Sequence, residues 1–342
     1  MWTRMIGRLV QQEDLNFLLT NRIPRRFATL FLGWWSRIES PLVVGTSLAV
    51  WKQFAPELDF SEARTTEFRS LRDCFIRELR PGARPIASAP DTIVSPCDAI
   101  VGACGRIEAG TLIQAKDLDY ALADLLGDEA LARRHQGGRY VTLRLKSTMY
   151  HRFHAPTRCR VSEVIHIAGD TWNVNPIALA RVERLFCRNE RAVIPLRLEP
   201  LLGPHLEPRV DPRRGADGHD RRDRRDRQEE SGPALTLVAI AAIGVATLRL
   251  HCLDSTLGLR YAGPTRIACD ARYEKGQELG WFEQGSTIVV LASPDLVLAD
   301  RIREGRLVKV GEPLLIDMNA RSREGLDRAG GTVRHPIAAA SP

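Results

Sequence analysis

The chain has 342 residues, of which 44% are hydrophobic and 27% are charged. This composition is ordinary for globular proteins and excludes a collagenous, wholly disordered or disulfide-stapled chain. The net charge of +7 favours anionic partners without choosing among them. Seven cysteines without a CxxC pair suit a reducing compartment and argue against a zinc site.

The first 62 residues predict amphipathic helices. The segment FATLFLGWWSRI, residues 27–38, repeats large apolar side chains at helical spacing. Residues 1–38 hold six arginines against two acids, a net charge of +4. This pattern fits a helix in an anionic membrane interface, and it also fits a helix packed on the protein's own core. Neither a membrane-spanning helix nor a secretion signal is predicted anywhere in the chain.

The middle of the chain predicts an α+β fold. Residues 64–86 read as a helix that ends before Pro81 and Gly82. From about residue 92 to 200, short β-branched runs alternate with glycine and proline turns, and one helix is predicted at 120–135.

Residues 203–232 differ in composition from the segments on either side. They contain almost no aliphatic side chains, and residues 209–230 hold eight arginines against seven acids. We therefore predict a disordered surface insertion. Because no aromatic residues are interleaved with the arginines, nucleic-acid binding is not predicted.

After the insertion, β-branched runs predict further strands. LTLVAIAAIGVATLRL, residues 235–250, reads as buried strands, and the segments around 275–293 and 303–316 resemble the small barrel of biotinyl and lipoyl carriers. The predicted architecture is N-terminal amphipathic helices, a β-rich domain over residues 63–318 with a small barrel-like strand region near its end, and a flexible tail over 319–342.

Few residues could carry chemistry. His151 and His154 lie three apart in TMYHRFHAP, and in an extended strand they would face opposite sides and have different roles. Asp98 begins a predicted strand after a proline turn, and Ser286 follows Gly285 in a Gly-Ser-Thr sequence. Each of these residues could also be purely structural. No metal site is predicted.

Seven sequence blocks, taken in order, resemble the bacterial, membrane-associated phosphatidylserine decarboxylases. They are FRSLRDCFIRELRPGARPI, SPCDAIVGACGRI, IQAKDLDYALADLLG, TMYHRFHAP, GDTWNVNP, RNERAVI and KGQELGWFEQGSTIVVL. The blocks cover residues 64–315 apart from the insertion. One block alone has little specificity, but seven in the family's order are specific.

The resemblance implies an enzyme that makes its own cofactor. The bond between Gly285 and Ser286 would cleave itself, giving a β chain of residues 1–285 and an α chain of residues 286–342 that begins with a pyruvoyl group derived from Ser286. The family's Asp-His-Ser triad falls on Asp98, His154 and Ser286, and His151 is the candidate for assisting decarboxylation. The pyruvoyl group would form a Schiff base with phosphatidylserine, releasing CO₂ and leaving phosphatidylethanolamine.

The resemblance also favours the membrane interpretation of the N-terminal helices. We expect a homo-oligomer bound peripherally to the cytoplasmic side of the cell membrane, with phosphatidylserine and the anionic surface as its partners. Three neighbours of the site depart from the family's pattern, namely Ala99, Met149 and Gln284. Two alternatives stay open: a pyruvoyl decarboxylase of a soluble amino acid, and a non-catalytic carrier-like scaffold.

Overall fold

The computed structural model of the protein describes residues 23–115, 118–199, 233–244, 247–283 and 287–321. Several predicted features lie outside the described residues. They are the insertion 203–232, the predicted cleavage point at Gly285 and Ser286 with its neighbour Gln284, and almost all of the tail 319–342.

The described residues form short helices around a β-rich body, which confirms the predicted α+β class. The helices are α1 (Arg25–Trp35), α2 (Pro41–Phe54), α3 (Leu71–Phe75), α4 (Leu122–Leu126), α5 (Glu129–Arg134), α6 (Pro176–Leu179) and α7 (Leu185–Arg188). The strands up to the insertion are β1 (Thr92–Val94), β2 (Ala99–Arg106), β3 (Thr111–Ala115), β4 (Leu118–Ala121), β5 (Arg139–Arg144), β6 (Arg152–His154), β7 (Cys159–Ile167) and β8 (Arg191–Leu198). The later strands are β9 (Ala234–Ile240), β10 (Thr247–Leu250), β11 (Leu257–Gly258), β12 (Arg266–Tyr273), β13 (Glu278–Phe282), β14 (Thr287–Ala292), β15 (Leu296–Leu298), β16 (Leu307–Val308) and β17 (Pro313–Asp317).

An antiparallel sheet of eight strands, in the order β12-β7-β8-β9-β14-β5-β2-β16, organises the body. Its central strands β9 and β14 are buried along their whole length, as their continuous apolar sequences predict. Alternate residues of β14 enter two different cores: Ile288 and Val290 face one, and Val289 and Leu291 face the other. The large sheet is therefore covered on both faces.

A four-stranded sheet, in the order β11-β10-β13-β6, and a three-stranded sheet, in the order β1-β17-β15, contribute to the first core. The second core lies under helices α4 to α7 and the β3-β4 hairpin. The strands after the insertion do not stand apart as a unit, because β14 and β16 join the large sheet while β17 pairs with β1.

The prediction of a helix over residues 64–86 was wrong for most of its length, since only Leu71–Phe75 is helical. The two ends of the segment bind each other: the Arg64 amide donates to the Glu78 carbonyl at 2.8 Å, and the Arg80 amide donates to the Glu62 carbonyl at 2.9 Å. A segment closed into a loop in this way cannot continue as one helix. Local propensity is overridden here by tertiary hydrogen bonds.

The helix predicted at 120–135 is also divided. Its first residues belong to β4, which pairs with β3, and the remainder forms α4 and α5. Gly127 ends α4 with a left-handed backbone (φ 63°) that glycine adopts without strain. Asp128 then caps α5 by accepting a hydrogen bond from the Leu131 amide at 2.9 Å.

Candidate active site

One edge of the large sheet collects the predicted site residues. In the antiparallel register, Arg144 at the end of β5 lies opposite both Ile100 in β2 and Thr287 at the start of β14. Asp98 precedes β2 at this edge, and Ser286, which lies outside the described residues, directly precedes β14. The fold therefore brings the ends of three strands together where the cleavage was predicted.

His154 is the last residue of β6, in the four-stranded sheet, and His151 directly precedes that strand. Strand β6 pairs with β13, the strand that leads along the chain to Glu283 and then to the three residues outside the description. The Phe282 amide donates to the carbonyl of His151 at 3.0 Å. Strand β13 in the small sheet therefore ends beside His151, and β14 in the large sheet begins five residues after Phe282.

His154 is held in a defined tautomer. Its Nδ1 lies 2.9 Å from the carbonyl oxygen of Gly276 and must therefore donate, which leaves the lone pair on Nε2. Burial lowers the pKa of His154, so the ring is neutral at physiological pH. The Nε2 atom is 3.0 Å from the hydroxyl of Tyr150, whose ring stacks on the imidazole.

Gly276 supplies the carbonyl that orients His154, and only glycine suits this position. Its φ of +82° is strained for other residues, and a Cβ atom there would lie 2.7 Å from the side chain of Ile86. The turn that delivers this carbonyl therefore depends on a residue without a side chain.

Asp98 is not hydrogen-bonded to His154. Its carboxylate accepts from Arg84 Nε at 2.9 and 3.1 Å and from the Val310 amide at 2.9 Å. Asp98 is buried and remains close enough to His154 to contribute to its electrostatic environment. In this structure, however, the carbonyl of Gly276 orients the imidazole, and Asp98 anchors the start of β2 to Arg84.

His151 is fully buried and has a different environment. Its Nε2 donates to the carbonyl of Ser147 at 3.2 Å, and its ring lies 5.5 Å from that of Phe75. Burial lowers the pKa of His151 to about 4, which keeps the ring neutral. Its Nδ1 has no hydrogen-bond partner among the described residues. The two histidines therefore share no hydrogen-bond partner among the described residues.

Two adjacent cavities are lined by residues that bind the two histidines, since Tyr150 lines the first and Ser147 lines the second. The first, the Asp98 cavity, has a volume of about 420 Å³ and is lined by Asp98, Arg84, Arg77, Tyr150 and Met149, among others. The second, the Arg144 cavity, has a volume of about 590 Å³ and is lined by Arg144, Phe75, Leu32, Phe54 and residues 173–176, among others. Glu57, Lys146 and Thr148 line both cavities. The short segment after β5 therefore separates the two spaces.

Sequence reasoning missed several residues of this site. Tyr150 could have been found, because it belongs to the same motif as the histidines and lies four positions before its partner His154. Arg84, Gly276 and Glu283 gave no local signal, since their partners are distant in sequence. Glu283 accepts from Arg37 at 2.8 Å and from Arg72 at 2.7 Å, which fixes the last described residue before the predicted cleavage point.

No metal centre is evident in the part of the chain that the structure describes, where no three His, Cys, Asp or Glu side chains are grouped to hold an ion. The chemistry offered by this edge is that of two neutral, buried imidazoles. One has a basic nitrogen beside a tyrosine hydroxyl, and the other has a basic nitrogen without a partner.

Comparison with known proteins identifies a family with this pattern. A sequence profile of the phosphatidylserine decarboxylase family matches residues 71–203 and 224–316. The phosphatidylserine decarboxylase proenzyme of Anaeromyxobacter sp. (strain K) is 36% identical over 300 residues, 85% of this chain and 94% of the relative. The proenzyme of Brevibacillus brevis is 34% identical over 267 residues, 77% of this chain and 84% of the relative. The phosphatidylserine decarboxylase proenzyme of Methylibium petroleiphilum is 32% identical over 310 residues, 88% of this chain and 97% of the relative.

Proposed function

The chain belongs to the phosphatidylserine decarboxylase family, and we propose that it is a self-processing enzyme that converts phosphatidylserine to phosphatidylethanolamine and CO₂. The observation that carries this proposal is the position of His151 and His154. His154 lies on β6, which pairs with β13, and the carbonyl of His151 accepts from the Phe282 amide at the end of β13, three residues before Gly285. Both imidazoles are buried and neutral.

The first step we propose is cleavage of the chain at Gly285. The lone pair on His154 Nε2 takes the proton of the Ser286 hydroxyl, and the oxygen attacks the Gly285 carbonyl to form an ester in place of the peptide bond. β-Elimination frees the β chain, and hydrolysis releases ammonia and leaves a pyruvoyl group at residue 286. Asp98 supports this step through the field of its carboxylate and by fixing β2.

Two buried atoms without described partners, one on Thr287 and one on His151, are suited to the chemistry of a pyruvoyl group at residue 286. The Thr287 hydroxyl and His151 Nδ1 are buried and have no hydrogen-bond partner among the described residues. A hydroxyl next to the cleavage point can donate to a carbonyl oxygen, and a basic nitrogen can handle a proton. A pyruvoyl group supplies an electrophilic carbonyl that condenses with the substrate amine, by Schiff-base chemistry, and draws off the electron pair left by CO₂.

We assign the return of a proton to the substrate carbon to His151. Its Nε2 hydrogen is held by the Ser147 carbonyl, so Nδ1 is the atom that takes a proton and passes it on. Phe75 packs against this ring and helps exclude water from it. A dry site favours decarboxylation because the substrate carboxylate loses its charge as CO₂ departs.

The N-terminal helices support a membrane-bound substrate. Ten of the twelve exposed large apolar side chains in the described residues lie between residues 23 and 54, and Phe27 and Trp34 are 71% and 60% exposed. The opposite face of α1 is polar and binds the body: Thr29 accepts from the Gly244 amide at 3.0 Å, and Arg25 stacks on Trp172 at 3.7 Å. This outward aromatic surface supports the interfacial interpretation of α1.

No described helix is long and apolar enough to cross a bilayer. We propose that α1 and α2 lie in the membrane interface, holding the protein peripherally on the cytoplasmic side. A pyruvoyl enzyme acting on a soluble amino acid would have no use for such a surface. Homo-oligomerisation and the boundaries of the domains stay predictions.

Intact mass spectrometry of the denatured protein tests the proposal. The wild type should give two chains, residues 1–285 and 286–342, with a pyruvoyl group in place of Ser286, and should release CO₂ from phosphatidylserine vesicles. Ser286→Ala should remain one chain of 342 residues without activity. The exposed Ser255→Ala serves as the control and should behave as wild type. A single full-length chain in active wild-type protein would overturn the mechanism.

A further inference from the structure

Arg144 is a half-buried cation without a counter-ion in the described part of the chain. No Asp or Glu carboxylate described here lies within 4 Å of it, and its Nε is buried without a hydrogen-bond partner. Burial lowers the pKa of Arg144, and no acidic neighbour opposes this effect. The other arginines near the site are bound, with Arg84 paired to Asp98 and Arg152 paired to Glu278.

The cavity beside Arg144 has two chemically different sides. Lys146, Ser147 and Thr148 join Arg144 on a polar side. Glu57 also lines this cavity, and its carboxylate pairs with Lys146 at 3.6 Å and not with Arg144. Leu32 and Phe54, from the two helices with the exposed apolar surface, contribute an apolar side together with Phe75. Such a cavity suits an amphiphile whose anionic group lies at the sheet and whose apolar part extends toward the helices.

We propose that Arg144 binds the phosphodiester group of the lipid substrate. This inference rests on the proposed function and adds the residue that positions the head group. An arginine presents a planar array of donors that matches two phosphate oxygens, and an arginine lacking a carboxylate partner keeps that array free for a ligand. Binding the phosphate would also supply the missing counter-charge.

The register of the sheet sets Arg144 at a suitable distance from the reacting bond. Arg144 lies directly opposite Thr287, so the two Cα atoms are about 5 Å apart. Thr287 follows the residue that we propose becomes the pyruvoyl group. In phosphatidylserine only a few bonds separate the amine from the phosphorus atom. A phosphate bound by Arg144 therefore leaves the amine within reach of residue 286.

The substrate carboxylate is the other anion that Arg144 could bind, and the chemistry argues against it. Charge leaves the carboxylate as CO₂ forms, so a cation bound there would stabilise the ground state more than the transition state. The phosphate keeps its charge throughout the reaction. Its binding thus positions the substrate without opposing decarboxylation.

Steady-state kinetics of the processed enzyme test this assignment. With short-chain phosphatidylserine, Arg144→Gln should raise KM roughly 10- to 100-fold and change kcat only a few-fold, as expected for the loss of a charged hydrogen-bonded contact. Arg144→Lys keeps the charge without the planar array and should show an intermediate KM. Arg139→Gln, at the other end of β5, is the matched control and should leave KM unchanged.

Two inhibitors distinguish the phosphate from the carboxylate. Short-chain phosphatidylglycerol has the phosphodiester but neither amine nor carboxylate, whereas a fatty acid of equal chain length has only the carboxylate. Arg144→Gln should weaken inhibition by phosphatidylglycerol 10- to 100-fold and leave inhibition by the fatty acid unchanged. The reverse result, or unchanged inhibition by both, would overturn the proposal.

The thermal midpoint and intact mass of each variant separate this proposal from its premise. If Arg144→Gln does not fold or does not cleave itself, inhibition of Arg144→Lys by the same two compounds tests the proposal. Suppose that the wild type cleaves and decarboxylates, and that the Arg144 variants keep the wild-type KM and the wild-type inhibition by phosphatidylglycerol. This result would overturn only the role of Arg144. A wild type that neither cleaves nor decarboxylates would overturn the proposed function itself.

Discussion

Two regions of this protein depart from the usual rules of burial in opposite directions. At the edge formed by β5 and β14, polar atoms of Arg144, His151 and Thr287 are buried without described partners. On helices α1 and α2, aromatic and aliphatic side chains such as Phe27 and Trp34 are exposed. Both arrangements lower the stability of the isolated protein, since unpaired polar atoms and exposed apolar surface are each unfavourable.

The difference between the two regions indicates the kind of ligand that would suit each one. A small polar molecule would suit the sheet edge, and an extended apolar surface would suit the helices. The phospholipid substrate that we propose, held within a bilayer, would supply both. The regions are joined by Glu283, which binds Arg37 just after α1 and Arg72 in α3 and which lies three residues before Ser286.

The largest effect is expected from replacing the two histidines of the candidate site one at a time. His154→Gln removes the base that we assign to cleavage, and the protein should remain a single chain, with processing at least 100-fold slower. His151→Gln should still process but should release no CO₂. The exposed His251→Gln is the control and should do both. If His154→Gln yielded two chains at the wild-type rate, the proposed role of His154 would be refuted.

A smaller effect is expected from making the helix surface polar. The double variant Phe27→Ser, Trp34→Ser should weaken binding to phosphatidylserine-containing vesicles roughly 100-fold or more, because each side chain loses about 1.5 kcal/mol or more of apolar burial in the interface. Cosedimentation measures this directly, and self-processing should be unchanged. Leu307→Ser removes an exposed apolar side chain far from these helices in sequence and should bind as wild type. Equal vesicle binding by all three proteins would exclude α1 as the membrane contact.

The smallest effect concerns pH. Cleavage requires neutral His154, and burial lowers the pKa of this residue below its ordinary value of 6.5, so the loss of activity is displaced to lower pH. A base with the ordinary pKa would lose about tenfold in rate by pH 5.5. We expect the rate of self-processing, followed by mass after rapid refolding, to fall less than tenfold between pH 7.5 and 5.5. A steeper fall would mean that His154 is not shielded from protonation.

Much of the fold could be predicted from local patterns, and the exceptions share one cause. Strands β9 and β14 have sequences that are almost wholly apolar and rich in β-branched residues, and their burial follows from composition. The segment 64–86 has helical spacing, yet Arg77 is buried and donates to the carbonyls of Cys74, Thr148 and Met149. Contacts with residues more than seventy positions away decided its shape, and no local pattern contains them.

The candidate site shows the same division. The sequence by itself determined which residue types are present, their order, and the family to which the chain belongs. Only the tertiary structure decided that Asp98 binds Arg84 while Gly276 orients His154, and that the aromatic face of α1 points outward. Only the tertiary structure left Arg144 without a described acidic partner. The physical reason is that hydrogen bonds and ion pairs depend on ångström-scale distances between strands far apart in sequence, whereas periodicity and motif order report only on neighbours along the chain.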